Sequence, residues 1–316
     1  MAVLVTGVGY IGARLVERLL AAGEEVVAVE NFFSTDAAAV AALAARPGCT
    51  LIEGDAAEPA VLEAAFAAAP ISTVYALAAQ SSAHPEAAPP SYTERANLVA
   101  PRVLLDAMLA HDVAKIVYAS SFRVYGDALP PLVDESLPYG RFGDLSHLSK
   151  VYAEKLLELY AARHGLTALS IRLGVCYGLS PVMKTDARFM TAPNKFCRQA
   201  AAGEPLTLYP DCDRPAGFIH VDDAAGAMLA AAAEPLSGYV PLNAVTEIST
   251  VARLAGDVRR AGAERGLPVE VCRQAPPGPP AGETRVTSRL ARFFAQPRRT
   301  LAGSVGELID YWSHAS

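Results

Sequence analysis

Two rhythms of apolar positions alternate through the first half of the chain. Short apolar runs at Val3 to Thr6, Glu25 to Glu30, Thr50 to Glu53, Thr73 to Leu77, Lys115 to Ser120 and Ala168 to Leu173 predict strands. Between them, helical spacing runs over Ile11 to Ala22, Pro59 to Ala68, Ser91 to Ala110 and Lys150 to His164. Strand and helix alternating in this way predict an α/β fold, a doubly wound parallel sheet covered on both faces. Beyond Gly174 the rhythm breaks, with proline and glycine punctuating Gly178 to Pro215 and again Pro276 to Gly282. Residues 1–173, with a return at about 218–243, are therefore expected to form the sheet domain. Residues 174–217 and 244–316 are expected to form a smaller, irregular lobe over the carboxyl ends of the strands.

Composition narrows the class without naming it. The 316 residues suit one large domain or a domain with a lobe, and 52% hydrophobic content supplies a core that disorder would lack. A net charge of −6 argues against a general binder of nucleic-acid backbones. No run approaches the roughly 20 apolar residues that span a bilayer, so no membrane partner is expected. A strand begins at Ala2, so no cleavable leader is expected. Cys49, Cys176, Cys197, Cys212 and Cys272 lack metal-site spacing and read as reduced thiols of a cytoplasmic protein, with no metal expected.

Candidate chemistry begins at Thr6-Gly7-Val8-Gly9-Tyr10-Ile11-Gly12, after a strand and before a helix. Its glycines permit a tight turn and close backbone approach, leaving the helix N-terminus to face a pyrophosphate. Glu30 ends the second strand, where a carboxylate accepts hydrogen bonds from both ribose hydroxyls and repels a 2′-phosphate; NAD is the expected cofactor rather than NADP. Asp55 follows the third strand and is placed to meet the adenine or to cap a turn.

Further along, Val74 to Gln80, Tyr118 to Gly126, Ser149 to Glu154, Gly203 to Leu206 and Phe218 to Asp223 complete a pattern running nearly end to end. The chain resembles the extended short-chain dehydrogenase/reductase group of NAD-dependent sugar epimerases and dehydratases, with a glycine loop one residue shorter than that group's TGxxGxxG. The resemblance implies a Rossmann sheet and cofactor contacts from Asn31, Ala56, Leu77, Ala78 and Ala79. It adds Asn97, Ala119 and Lys150 to that set. It also implies Ser121 and Lys150 as two members of a Ser–Tyr–Lys site, in which the lysine lowers the tyrosine pKa from about 10 so that a phenolate can accept a hydroxyl proton.

The tyrosine itself is missing. Ser146 stands four residues before Lys150, at the step from Tyr125 where the group carries its phenol. A serine hydroxyl is too weak an acid to serve as that base. Tyr139 in the loop upstream is the first replacement candidate; His147, about 100° around the helix from Ser146, is the second. Water or substrate could instead relay the proton, or the protein could bind NAD without turnover. Phe122 and Arg123 occupy the places of the dehydratases' acidic pair, which favours epimerisation or simple oxidoreduction and leaves Arg123 to meet an anionic group.

In the second half the likeness implies Thr207 and Tyr209 beside a nucleotide base. Val175 and Ala216 replace an expected asparagine and a diphosphate-clamping arginine, and a second arginine falls at Pro279-Pro280. Arg214 and Arg285 are the nearby replacements. Lys184, Asp186, Arg188, Asn194 and Lys195 form a polar stretch, read either as a solvated loop or as contacts to a polar substrate. The chain thus reads as an NAD-dependent epimerase of a sugar, most simply a nucleotide sugar, acting through a transient ketone. It is expected to dimerise through Ser91 to Ala110 and Lys150 to His164. A dehydrogenase releasing NADH, and a silent NAD-binding sensor or scaffold, are the alternatives.

Overall fold

The computed structural model describes residues 1–82, 84, 86–277, 282–295 and 299–315. Seven parallel strands form one sheet in the order Tyr239–Ala244, Thr167–Leu173, Lys115–Ser121, Ile71–Ala76, Ala2–Thr6, Val26–Glu30, Cys49–Glu53. The chain leaves Ala2–Thr6 in one direction and returns to its other side at Ile71–Ala76, so the strand order reverses there. A doubly wound sheet opens a crevice at this point, above the carboxyl ends of the strands. Side chains alternate between two cores: Val3 and Val5 pack with one, Ala2 and Leu4 with the other. Strand limits differ from expectation by only one or two residues.

Two helical segments differ more. The helix Leu145–His164 begins five residues earlier than expected, capped by the Asp144 carboxylate on the His147 amide and closed at Gly165 in the left-handed region. Apolar spacing misses its first turns because the face buried there is polar: Ser146, Ser149 and Lys150. The expected helix Ser91 to Ala110 is Pro90–Glu94, a π turn at Arg95–Val99, then Ala100–Ala110. The wider turn brings Asn97 into the interior.

The second half is more regular than its punctuation suggests. Ala216–His220 pairs with Val175–Tyr177 and Glu247–Ser249 in a separate three-stranded sheet; of the stretch 218–243, the strand Tyr239–Ala244 is the part that joins the large sheet. Helices Ala192–Ala201, Val251–Ala263 and Leu301–His314 pack on one another. Pro279-Pro280 lies outside the described residues.

Glu154 fastens the long helix to the sheet. Its side chain is 0% exposed and accepts from Ser120 Oγ at 2.5 Å, Arg172 Nη2 at 2.6 Å, Tyr239 Oη at 2.9 Å and Tyr139 Oη at 3.0 Å. Three of these partners sit on three adjacent strands. A buried carboxylate is tolerable only when its lone pairs are all answered. Arg172→Met should therefore lower stability by about 3–5 kcal/mol in chemical denaturation, because it strands the Glu154 charge, and adding Glu154→Gln should recover much of it. An unchanged midpoint in the single variant would contradict this.

Candidate active site

A single cavity of ≈ 330 Å³ runs from the glycine turn to the ends of Lys115–Ser121 and the long helix. At the turn, Gly7 has φ +83°, and an added Cβ would stand 2.5 Å from the Ala78 amide nitrogen; at Gly12 it would stand 1.9 Å from the Gly7 carbonyl. Both positions therefore exclude side chains. Gly9 differs: its added Cβ would meet only Thr35 Oγ1 at 3.5 Å and Lys184 Nζ at 4.0 Å, so a side chain there would occupy cavity space. The helix Tyr10–Ala21 starts at Gly9 with no side-chain cap, which leaves its first N–H groups to a ligand. Glu30 is buried, with Oε2 accepting from the Val8 amide at 2.7 Å and Oε1 from the Phe32 amide at 2.9 Å. A carboxylate accepts about four hydrogen bonds, so room remains for two ribose hydroxyls. These features fit a dinucleotide.

The residues expected at the cofactor end all line the cavity except Asn97. Asn97 lies behind the wall, gripping the Gln80 amide and carbonyl, each at 2.8 Å, and Ser149 Oγ at 2.9 Å. It shapes the loop after Ile71–Ala76 and is not itself a cavity residue. Asp55 lines the wall and also caps the Ala57 amide and pairs with Arg95.

At the reactive end, Ser121, Arg123, Ser146, His147 and Lys150 share the wall. Lys150 Nζ donates to the Ala119 carbonyl at 2.8 Å and lies 4.8 Å above the Tyr118 ring. Burial lowers its pKa to about 8, against the pull of Glu154. Ser146 Oγ donates to the Gln80 carbonyl at 3.3 Å. Gln80 Oε1, buried on the same wall, has no hydrogen-bond partner among the described residues and would take a hydroxyl donor.

Tyr139 does not reach this place. It is off the cavity wall, its hydroxyl donates to Glu154, and its pKa is pushed up to about 12, first by burial and then by that carboxylate. A phenol held this way is a poor proton acceptor, and the first replacement candidate is corrected on that ground. His147 is the side chain brought to the wall. Its Nδ1 is 2.5 Å from Asp144 Oδ2, while its Nε2 makes no hydrogen bond among the described residues. Burial of Asp144 is outweighed by the His147 hydrogen bonds and nearby Arg123, which hold its carboxyl below the ordinary range. A carboxylate on Nδ1 fixes the proton there and leaves Nε2 with its lone pair.

The expected substrate contacts divide. Arg123, paired with Asp127, and Asn194, accepting from the Gly178 amide at 3.3 Å, line the cavity, as do Val175 and Ala216. Thr207, Tyr209 and Arg214 do not: Thr207 is held in a strand pairing with Val271–Arg273, Tyr209 is 55% exposed and Arg214 is exposed. Ser34, Thr35 and Lys184 line the cofactor end although no motif marks them as cofactor contacts. The polarity of Met183 to Lys195 was the available signal for Lys184.

A family model described as NAD dependent epimerase/dehydratase matches residues 3–243. The chain belongs to that family. It is 31% identical over 248 residues to the UDP-glucose 4-epimerase of Yersinia pestis, covering 73% of each chain. It is likewise 31% identical over 185 residues to that of Halalkalibacterium halodurans, where the match spans about half of the relative, 52%, and 57% of this chain. The UDP-glucose 4-epimerase of Thermus thermophilus, solved in complex with NAD, superposes with a TM-score of 0.83 and 26% identity over 100% of both chains. NAD is the cofactor of this family member, in agreement with the buried Glu30 carboxylate.

If Tyr139 were the base, Tyr139→Phe would lose the factor of about 10²–10⁴ typical of general base catalysis. The geometry instead predicts a kcat within about tenfold of wild type, with a stability loss of about 1 kcal/mol from the hydrogen bond to Glu154. Steady-state kinetics and denaturation of the one variant decide both points.

Proposed function

We propose that this chain interconverts epimers of a nucleotide sugar through a transient ketone, with NAD held and recycled. The supporting observation is that Ser121, Lys150 and His147 share one end of the cavity whose other end is the glycine turn. Ser121 Oγ hydrogen-bonds the reacting hydroxyl, and Lys150 holds the nicotinamide ribose. His147 Nε2 takes the hydroxyl proton as the carbinol C–H bond breaks, and Asp144 stabilises the imidazolium that forms. When bound, NAD supplies the hydride acceptor and the donor for return to the ketone's other face. The proton then goes back from His147 to the new alkoxide, so the sum is an isomerisation. Phe122 and Arg123 supply no acid pair for elimination, and Arg123 is the wall cation left to meet an anionic group of the substrate.

The protein is proposed to act as a cytoplasmic homodimer. Val99, Leu148, Tyr152 and Leu159 are exposed on the two helical segments expected at the interface, and a second copy would cover them. No helix among the described residues is long and apolar enough to cross a membrane. Sedimentation should show a dimer that Tyr152→Glu with Leu159→Glu converts to a monomer; a wild-type monomer would refute the interface.

The activity is tested with UDP-glucose and related UDP-sugars on the NAD-loaded protein. The expected result is an epimer with no net absorbance gain at 340 nm. Stoichiometric NADH would indicate a dehydrogenase, and intact NAD binding without conversion of any sugar would indicate a silent binder. His147→Ala should lower kcat by about 10²–10⁴-fold and be partly rescued by added imidazole. An unchanged kcat would remove His147 from the mechanism.

A further inference from the structure

After the strand Val175–Tyr177 the chain crosses back over the cofactor end of the cavity. It is pinned at its start by Ser180 Oγ donating to the Tyr10 carbonyl at 2.6 Å and by Arg14 donating to the Leu179 carbonyl at 2.6 Å. It is pinned further on by Arg188, whose guanidinium donates to the Glu86 carbonyl at 3.1 Å. Between these ties, Lys184 points into the cavity. Its Nζ donates to Ser34 Oγ at 2.9 Å, across 150 positions of sequence, and lies 5.3 Å from the Phe189 ring centre. It stands 4.0 Å from where a Cβ on Gly9 would be, which is the open side of the glycine turn.

No ion pair joins this ammonium to a carboxylate among the described residues. Taking it from water to the cavity wall is unfavourable, and burial lowers its pKa, opposed by Glu30 and Asp186 at longer range. A neutral hydroxyl and the face of one aromatic ring offset only part of that. The geometry therefore calls for an anion beside Gly9, where the uncapped helix N-terminus already offers N–H groups.

We propose that Lys184 is the counter-charge for the cofactor's diphosphate, delivered by the second half of the chain and closing on the phosphates opposite the helix N-terminus. The glycine turn supplies backbone donors from one side; Lys184 supplies full charge from the other. A 2′-phosphate offers the same chemistry, but buried Glu30 stands against it, so the diphosphate is the partner. The consequence for turnover rests on the epimerase reading: a cofactor clasped by both halves of the chain stays bound between hydride removal and return.

The test is calorimetric titration of cofactor-free wild type, Lys184→Met and Lys184→Arg with NAD, NADP, ADP and adenosine at two salt concentrations. Loss of one charge-assisted contact should weaken NAD and ADP by about 10- to 100-fold in Lys184→Met, with adenosine unaffected and a shallower salt dependence. Lys184→Arg, which keeps the positive charge, should bind NAD more tightly than Lys184→Met. Cofactor-free Lys184→Met should be as heat-resistant as cofactor-free wild type, showing that binding and not folding has changed. Equal losses for adenosine and ADP, a larger loss for NADP than for NAD, a loss in Lys184→Arg matching that of Lys184→Met, or no loss at all would each overturn the proposal. These readouts involve no sugar, so the proposal can fail while the epimerase reading stands, and the reverse.

Discussion

The reactive end of the cavity depends on Glu154. This carboxylate is sealed from solvent and answered by Arg172 and by hydroxyls from Ser120, Tyr139 and Tyr239. Because those partners come from several strands, the helix Leu145–His164 cannot slide or turn without exposing an unpaired charge. Lys150 lies one helical turn before Glu154 on that helix and is thereby held against the end of Lys115–Ser121. The same carboxylate engages the hydroxyl of Tyr139, whose pKa is raised first by burial and then by this neighbour. One electrostatic constraint thus positions the lysine and holds Tyr139 off the cavity wall.

With the helix fixed in this way, the proposed proton acceptor, His147, stands one residue beyond Ser146. Ser146 itself donates to the Gln80 carbonyl. His147 reaches the wall because Asp144, the helix's own cap, holds its ring. Farther out, Val175 and Ala216 present apolar atoms where the resemblance implies polar anchors. Arg123 and Asn194 also line the cavity, and its cations, Lys150, Lys184 and Arg123, are spread along its length.

Local signals made much of this legible. The positions of the glycine turn, Glu30, Ser121 and Lys150 along one cavity were readable because each depends on neighbours within one strand–turn–helix unit. The expected residues that lie off the cavity wall share a different cause. Tyr139 reads as a loop residue near the site until Glu154, 15 positions on, captures it. Thr207 and Tyr209 depend on which way a short strand faces, which its pairing with Val271–Arg273 decides. Asn97 carries a cofactor-like signal, yet a π turn aims it at Gln80 instead. Lys184 and Ser34 meet across 150 positions, a contact that no periodicity encodes.

The most direct measurement is a crystal structure of the wild-type protein with NAD and a nucleotide sugar. The reacting hydroxyl is expected within hydrogen-bond reach, about 2.6–3.2 Å, of both His147 Nε2 and Ser121 Oγ. Tyr139 is expected to remain bound to Glu154. A sugar hydroxyl contacted by Tyr139, or one beside Ser146 with His147 turned away, would contradict the proposed role of His147.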